Sequence, residues 1–275
     1  MTGGRRARFR GGGVTAVGGR ARNEDAFIAR SPVFVVADGM GGHIGGAEAA
    51  QAVVAAFLPL AGGEPPAPEQ VAQAHRQARA GVAEVCERLH GDAGSTLTGA
   101  VAVTYRGEPW WMVINVGDSR VYSLDGGVLT QVTHDHSRVQ ELMDAGRITA
   151  DQAAVHPERN LVTRAIGDDI PLMDAWLVPL EPGRRLVIAS DGLMKEIDDA
   201  LIGRIAALHG HPESAAQALV DAALAMGARD NVTVVVADAM GVTDPDADPS
   251  PWPRWPAVAA DDDTTTPGAR RTVHA

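Results

Sequence analysis

Cysteine is almost missing from this 275-residue chain: Cys86 is the single one, so no internal disulfide can form. That excludes a cysteine zinc cluster and fits a reducing compartment. Aromatic residues are scarce too, at 4% against 45% hydrophobic overall, so a substantial core must be built from Val, Ala, Leu and Ile. Basic residues are outnumbered, 24 against 35 acidic, leaving a net charge of -11 and a pI near 5.2. This balance argues against a partner that is nucleic acid or an anionic membrane. A phosphate substrate would need positive charge delivered locally, by metal ions or a few arginines. Long apolar runs are also lacking. The stretch Ala47 to Leu60 is broken by Glu48, Gln51 and Pro59 and is too short to span a bilayer. The opening MTGGRRARFRGGG is basic, but no apolar segment follows it, so no secretory signal is read there. A cytoplasmic protein is the expectation.

What is present is a repeated design. VFVVADGMGG, Val33 to Gly42, drives five apolar residues into Asp38 and Gly39. A short, β-branched, wholly apolar run reads as a strand buried on both faces. A carboxylate at its end sits at the rim of a rigid sheet, where the following glycines allow close backbone approach. LVIASDGL repeats the design with Asp191 and Gly192, and RDNVTVVVADA inverts it, with Asp230 just before a strand. An antiparallel strand starting where its neighbours end brings Asp230 to the same rim. Three carboxylates there repel one another unless a cation sits among them. Hard divalent ions such as magnesium and manganese take oxygen ligands of this kind.

In chain order, residues 1–13 read as a flexible leader and Val14 to Val17 as an opening strand. Ala47 to Leu58 is an alanine-rich helix stopped by Pro59. Val71, Ala74, Ala78, Val82, Val85 and Leu89 form the apolar stripe of a second helix, with Cys86 packed beside it. From Ser95 to Val132, short strands alternate with hairpin-like separators, an antiparallel meander in which Asp118 of Gly117-Asp118-Ser119 serves only a turn. Residues 134–170 form a polar excursion, a common place for substrate contact. Two strands and two helices, Ala200 to Leu208 and Pro212 to Met226, precede the Asp230 strand. Residues 241–275 are rich in Pro, Asp and Thr and read as a disordered tail. Sets of strands each followed by paired helices predict an α+β sandwich, two packed sheets covered by helices, rather than a doubly wound parallel sheet.

RARNEDAF, VFVVADGMGGH, GSTLTGAV, VGDSRVY, THDHS, HPERNLVTRAIG, ASDGL and RDNVTVVV, in this order, cover about Arg20 to Ala239. Together they resemble the metal-dependent Ser/Thr protein phosphatases of type 2C, in their bacterial form. The resemblance implies an α+β four-layer sandwich of two mainly antiparallel β-sheets flanked by helices on both sides. It implies a catalytic domain over 14–240 with a flap near 134–170. It implies two Mn2+ or Mg2+ ions, with Asp38 bridging them, the Gly39 carbonyl on the first, and Asp191 and Asp230 on the second. Asp118, with Asp191, matches a third metal position. Glu24 and Asp25 match supporting acids beside the ligands, and Arg20 matches the arginine that grips substrate phosphate, with Arg22 as its rival. Two positions depart from relatives: Met40 stands where animal members carry a histidine, with His43 three residues on, and Lys195 stands where some relatives have an aspartate.

The implied reaction is hydrolysis of phosphoserine and phosphothreonine monoesters by direct attack of a hydroxide bridging two metal ions, without a phosphoenzyme. Expected partners are phosphorylated proteins, a Ser/Thr kinase or its targets among them, with no nucleic acid and no membrane, and the chain is expected to be a monomer. Two alternatives stay open from the residues alone: a catalytically silent phosphatase-fold binding module, and a metal hydrolase of another ester class such as a nuclease.

Overall fold

The computed structural model describes residues 7–41, 45–181 and 183–240. His43 and the tail over 241–275 lie outside the described residues, as does the first part of the expected leader. In chain order the strands are β1 (Arg8–Ala16), β2 (Asp25–Arg30), β3 (Val33–Met40), β4 (Gly94–Ser95), β5 (Leu97–Tyr105), β6 (Glu108–Val116), β7 (Arg120–Asp125), β8 (Val128–Gln131), β9 (Asp174–Pro179), β10 (Arg185–Ala189) and β11 (Val232–Met240). The helices are α1 (Gly45–Phe57), α2 (Pro68–Leu89), α3 (Arg138–Asp144), α4 (Ala150–Ala154), α5 (Asp191–Met194), α6 (Asp199–Leu208) and α7 (Pro212–Ala225). One sheet runs β1-β11-β10-β7-β8 and the other β2-β3-β5-β6-β9, with β4 pairing β3. Every pairing between named strands is antiparallel.

The continuous apolar strands follow from having protein on both faces. In β3, Phe34 and Val36 face the other sheet, while Val33, Val35 and Ala37 face the core under α1 and α2. In β10, Leu186 and Ile188 face the other sheet, while Val187 and Ala189 face α6 and α7. The four layers are therefore helices, sheet, sheet, helices, which is the expected α+β sandwich. Helix α2 forms where its stripe of Val71, Ala74, Ala78, Val82 and Val85 is buried. It starts at Pro68, where the missing N–H costs nothing, and ends at His90 in a left-handed conformation with φ 50°. Helix α1 ends at Phe57, and Pro59 lies in a short 3-10 turn over Leu58–Leu60. Among the described residues, no helix is long and apolar enough to cross a membrane.

Two expectations are corrected. The opening strand begins at Arg8, not Val14, so residues 8–13 are an edge strand on β11 and not a leader. The glycines that hide its periodicity are there for close packing. A Cβ on Gly11 would lie 2.2 Å from Phe34, on Gly12 2.4 Å from the Glu213 backbone, and on Gly13 2.6 Å from Phe27. The meander is also broken. β6 pairs with β5 and β9, whereas β7 pairs with β10 and β8, so Gly117-Asp118-Ser119 crosses from one sheet to the other and is not a hairpin turn. That crossover brings Asp118 between the sheets.

Candidate metal centre

The acidic residues meet at the rim where strands of both sheets end. Asp38 stands near the end of β3, and Asp25 is its cross-strand partner at the start of β2. Asp191 follows β10 and opens α5, while Asp230 precedes β11, the antiparallel neighbour of β10. Asp118 enters from the β6–β7 crossover. The two Asp-Gly steps have one steric cause. A Cβ on Gly39 would fall 2.1 Å from the Gly46 carbonyl oxygen, and one on Gly192 would fall 2.0 Å from the Asn231 carbonyl oxygen. Only glycine lets a second backbone cross that close behind each carboxylate.

Mutual repulsion marks the cluster as one electrostatic unit. Asp38 is held well above the ordinary carboxylate range, by desolvation first and then by Asp25, Asp191, Asp118 and Asp230. Asp118 is pushed up to about 8 by desolvation, Asp191 and Asp135, and Asp25 to about 6, mainly by desolvation. Desolvation also raises Asp191, against the pull of Lys195. Desolvation acts upward on Asp230 as well, but Arg20 and Lys195 outweigh it and hold this carboxyl low. The Asp191 and Asp230 side chains remain 19% and 21% exposed, so a small ion can reach them from solvent.

The donor set is all oxygen, which suits a hard divalent ion. Asp25 Oδ1 is buried without a hydrogen-bond partner, and coordination or a bridging water at the centre would satisfy it. Among the described residues, no group of three or more His, Cys, Asp or Glu stands arranged to hold a metal ion. The donor chemistry, carboxylate and carbonyl oxygen, fits a hard divalent ion in kind.

Arg20 reaches the site, with Nε 2.9 Å from Asp230 Oδ1. Arg22 takes part through its carbonyl, which accepts from Asn231 Nδ2 at 2.9 Å. Glu24 Oε2 occupies space that a Cβ on Gly46 would invade, 2.5 Å away. The Gly39 N–H donates to the Glu24 carbonyl at 3.2 Å.

Sequence reasoning missed the residues that hold the acids in place. Ser190 Oγ and Thr233 Oγ1 donate to Asp25 Oδ2 at 2.9 and 2.6 Å. Asn231 accepts from the Glu24 N–H and donates to the Val17 and Arg22 carbonyls, tying the RARNED loop to the start of β11. The Asp38 N–H donates to Thr96 Oγ1, and Thr96 shares a hydrogen bond with Ser119 beside Asp118. His136 fixes the crossover: its Nδ1 accepts from the Gly117 N–H, and its own N–H donates to the Gly117 carbonyl. Arg120 of the GDSR motif grips Asp135 of THDHS through Nε and Nη2. Each of these letters lies in a motif already noted, but its partner is remote in sequence.

The excursion over 134–170 is fastened at both ends, at its start by Asn115 Nδ2, which donates to the His134 carbonyl at 3.1 Å. Arg164 donates to Asp174, and Ile166 bridges Ser95. α3 and α4 form its middle.

A sandwich of two antiparallel sheets with an acidic, all-oxygen cleft at its rim defines the class of metal-dependent phosphatases. Residues 13–225 match the family Protein phosphatase 2C, and the chain belongs to that family. It is 37% identical over 252 residues to the serine/threonine protein phosphatase PstP of Mycobacterium tuberculosis, a match covering 90% of this chain and 47% of that one. The chain thus spans about half the length of that relative. It is 30% identical over 227 residues to the serine/threonine phosphatase stp of Listeria innocua, covering 80% of this chain and 88% of the relative. The crystal structure of the PstP catalytic domain in complex with two manganese ions superposes with a TM-score of 0.74 at 33% identity, covering 85% of this chain and 99% of that one. Asp38, Asp118, Asp191 and Asp230 all reach the cleft, and nothing favours the silent binding module.

Proposed function

We propose that this chain is a metal-dependent phosphoprotein phosphatase that hydrolyses phosphoserine and phosphothreonine monoesters in the cytoplasm. One observation carries the reading: carboxylates from β2, β3, the β6–β7 crossover, α5 and the segment just before β11 converge at one rim of the two sheets, where Asp38, Asp25, Asp118, Asp191 and Asp230 act on one another electrostatically. Two Mn2+ or Mg2+ ions would be held by Asp38, the Gly39 carbonyl, Asp191 and Asp230, with Asp118 available to a third. Ions of this kind supply Lewis-acid charge and lower the pKa of a water at the site.

The chain's own side chains do the remaining work. Asp25 and Glu24 orient the ligands and keep the cleft anionic. Arg20, released from Asp230, presents its guanidinium to the substrate phosphate, where its fork suits two oxygens. Ser190, Thr233, Thr96 and Ser119 are engaged in hydrogen bonds that hold acids and backbone, in keeping with direct hydrolysis that uses no side-chain nucleophile. The excursion over 134–170 borders the cleft and selects among phosphoproteins, including a Ser/Thr kinase or its targets. The acidic balance turns nucleic acid and anionic membranes away, and the chain acts as a monomer.

The deciding experiment compares manganese-dependent release of phosphate from a phosphothreonine peptide with cleavage of DNA and of a simple phosphodiester. Turnover of the peptide alone supports the reading. Preference for either diester overturns it.

A further inference from the structure

Charge in the cleft is divided unevenly. Asp230 carries two of the protein's own cations: Arg20 on one edge, and Lys195, whose Nζ lies 2.9 Å from Oδ2. The same ammonium lies 2.5 Å from Asp191 Oδ2. Lys195 is set there by local structure. It follows the single turn α5, its N–H donates to the Asp191 carbonyl at 2.9 Å, and the i,i+4 spacing returns its side chain over Asp191. Among the described residues, no lysine or arginine makes a direct ion pair with Asp38, Asp25 or Asp118; Lys195 and Arg20 act on that half only from farther off.

We propose that Lys195 is a resident cation of the cage: its ammonium bridges Asp191 and Asp230 in the metal-free chain and makes metal loading stepwise. The first ion enters the uncompensated Asp38 half. A second ion on Asp191 and Asp230 must displace the ammonium, because two cations cannot share those oxygens without repulsion. Lys195 is a positioning residue that sets the order and relative affinity of the two ions, and the inference rests on the metal-site reading above. The same displacement uncovers Asp191 toward Asp118, so the third position is open only after the lysine has moved.

Manganese binding to the full chain, followed by titration calorimetry and by the spin resonance of free ion, tests this without reference to turnover. The wild type is expected to take one ion tightly and a second about tenfold or more weakly, one tenfold step being about 1.4 kcal/mol. Lys195→Met is expected to bring the two steps together and to lower the melting midpoint in chelator. Lys195→Arg, which keeps the charge, is expected to preserve both the stepwise binding and the chelator midpoint. Two equal sites in the wild type, or identical isotherms for wild type and Lys195→Met, overturn the role of Lys195 and leave the metal site standing. A wild type that binds no manganese overturns the metal-site reading, and this proposal with it.

Discussion

Thr233 Oγ1 lies 2.6 Å from Asp25 Oδ2, a buried hydrogen bond that joins the second residue of β11 in one sheet to the first residue of β2 in the other. Ser190 Oγ reaches the same oxygen at 2.9 Å. Asp25 Oδ1, left without a partner, is thereby aimed and available. Thr233→Val keeps the volume and removes one donor. Outer partners of this type are worth about 10- to 100-fold in metal affinity or activity, and a lost buried hydrogen bond about 1–3 kcal/mol of stability. The expected result is weaker manganese binding by calorimetry together with an earlier urea midpoint. Unchanged metal affinity would separate Asp25 from the metal centre.

Gly39→Ala and Gly192→Ala test the steric cause of the Asp-Gly steps. Each new Cβ would meet a carbonyl oxygen at 2.1 or 2.0 Å, and backbone cannot rotate out of the way as a side chain can. Both variants are expected to lose stability by about 1–3 kcal/mol or more, measured by urea unfolding. Gly63→Ala, where a Cβ would meet nothing within 4 Å, serves as the control and is expected to unfold like wild type.

The parts of this molecule that were legible from sequence are those fixed by local pattern. Val33 to Ala37 and Leu186 to Ala189 are apolar at every position because each strand has a sheet on one side and helices on the other. The stripe of α2 declared its buried face in the same way. Asp118 was not legible from its neighbours, since Gly-Asp-Ser suits a hairpin as well as a crossover between sheets. Only the pairing of β6 and β7 with different partners decides. The first half of β1 was hidden because packing against Phe34, Phe27 and Glu213 requires glycine, which erases the alternation that marks a strand. Ser190 and Thr233 stand 165 and 208 residues from Asp25, and Asn231 207 from Glu24, so their roles depend on tertiary contacts that no local pattern encodes.

His75 gives the fold an acid-sensitive point away from the cleft. It sits on α2 only 1% exposed, with Nε2 unpartnered. Burial first, then Arg79 and Arg76, push it down to about 4. The unfolded chain, with an ordinary histidine, takes up this proton at higher pH than the folded chain does. Stability is therefore undiminished above about pH 6.5 and falls as pH drops from there toward 4, by roughly 2 kcal/mol at pH 5. His75→Leu should flatten this part of the profile. The check is the difference in urea midpoint between pH 7.5 and pH 5, which should shrink in the variant.

Asp38→Asn separates the function of the cage from its stability. In the metal-free chain Asp38 is the most crowded of the acids, desolvated and faced by Asp25, Asp191, Asp118 and Asp230. Asparagine keeps the shape and removes the charge, so the variant is expected to melt higher than wild type in chelator. Manganese reverses the order. A ligand that binds only the folded state stabilises by about 2.7 kcal/mol at a hundred times its dissociation constant. The wild type is expected to gain this and the variant to gain less. Removing a direct ligand should cost more than the 10- to 100-fold typical of outer partners, so turnover of a small aryl phosphate should drop by more than about 100-fold. A variant that is more stable without metal, less responsive to metal and inactive fits a site strained for function. Near-wild-type manganese-dependent turnover by Asp38→Asn would remove Asp38 from the centre of the mechanism.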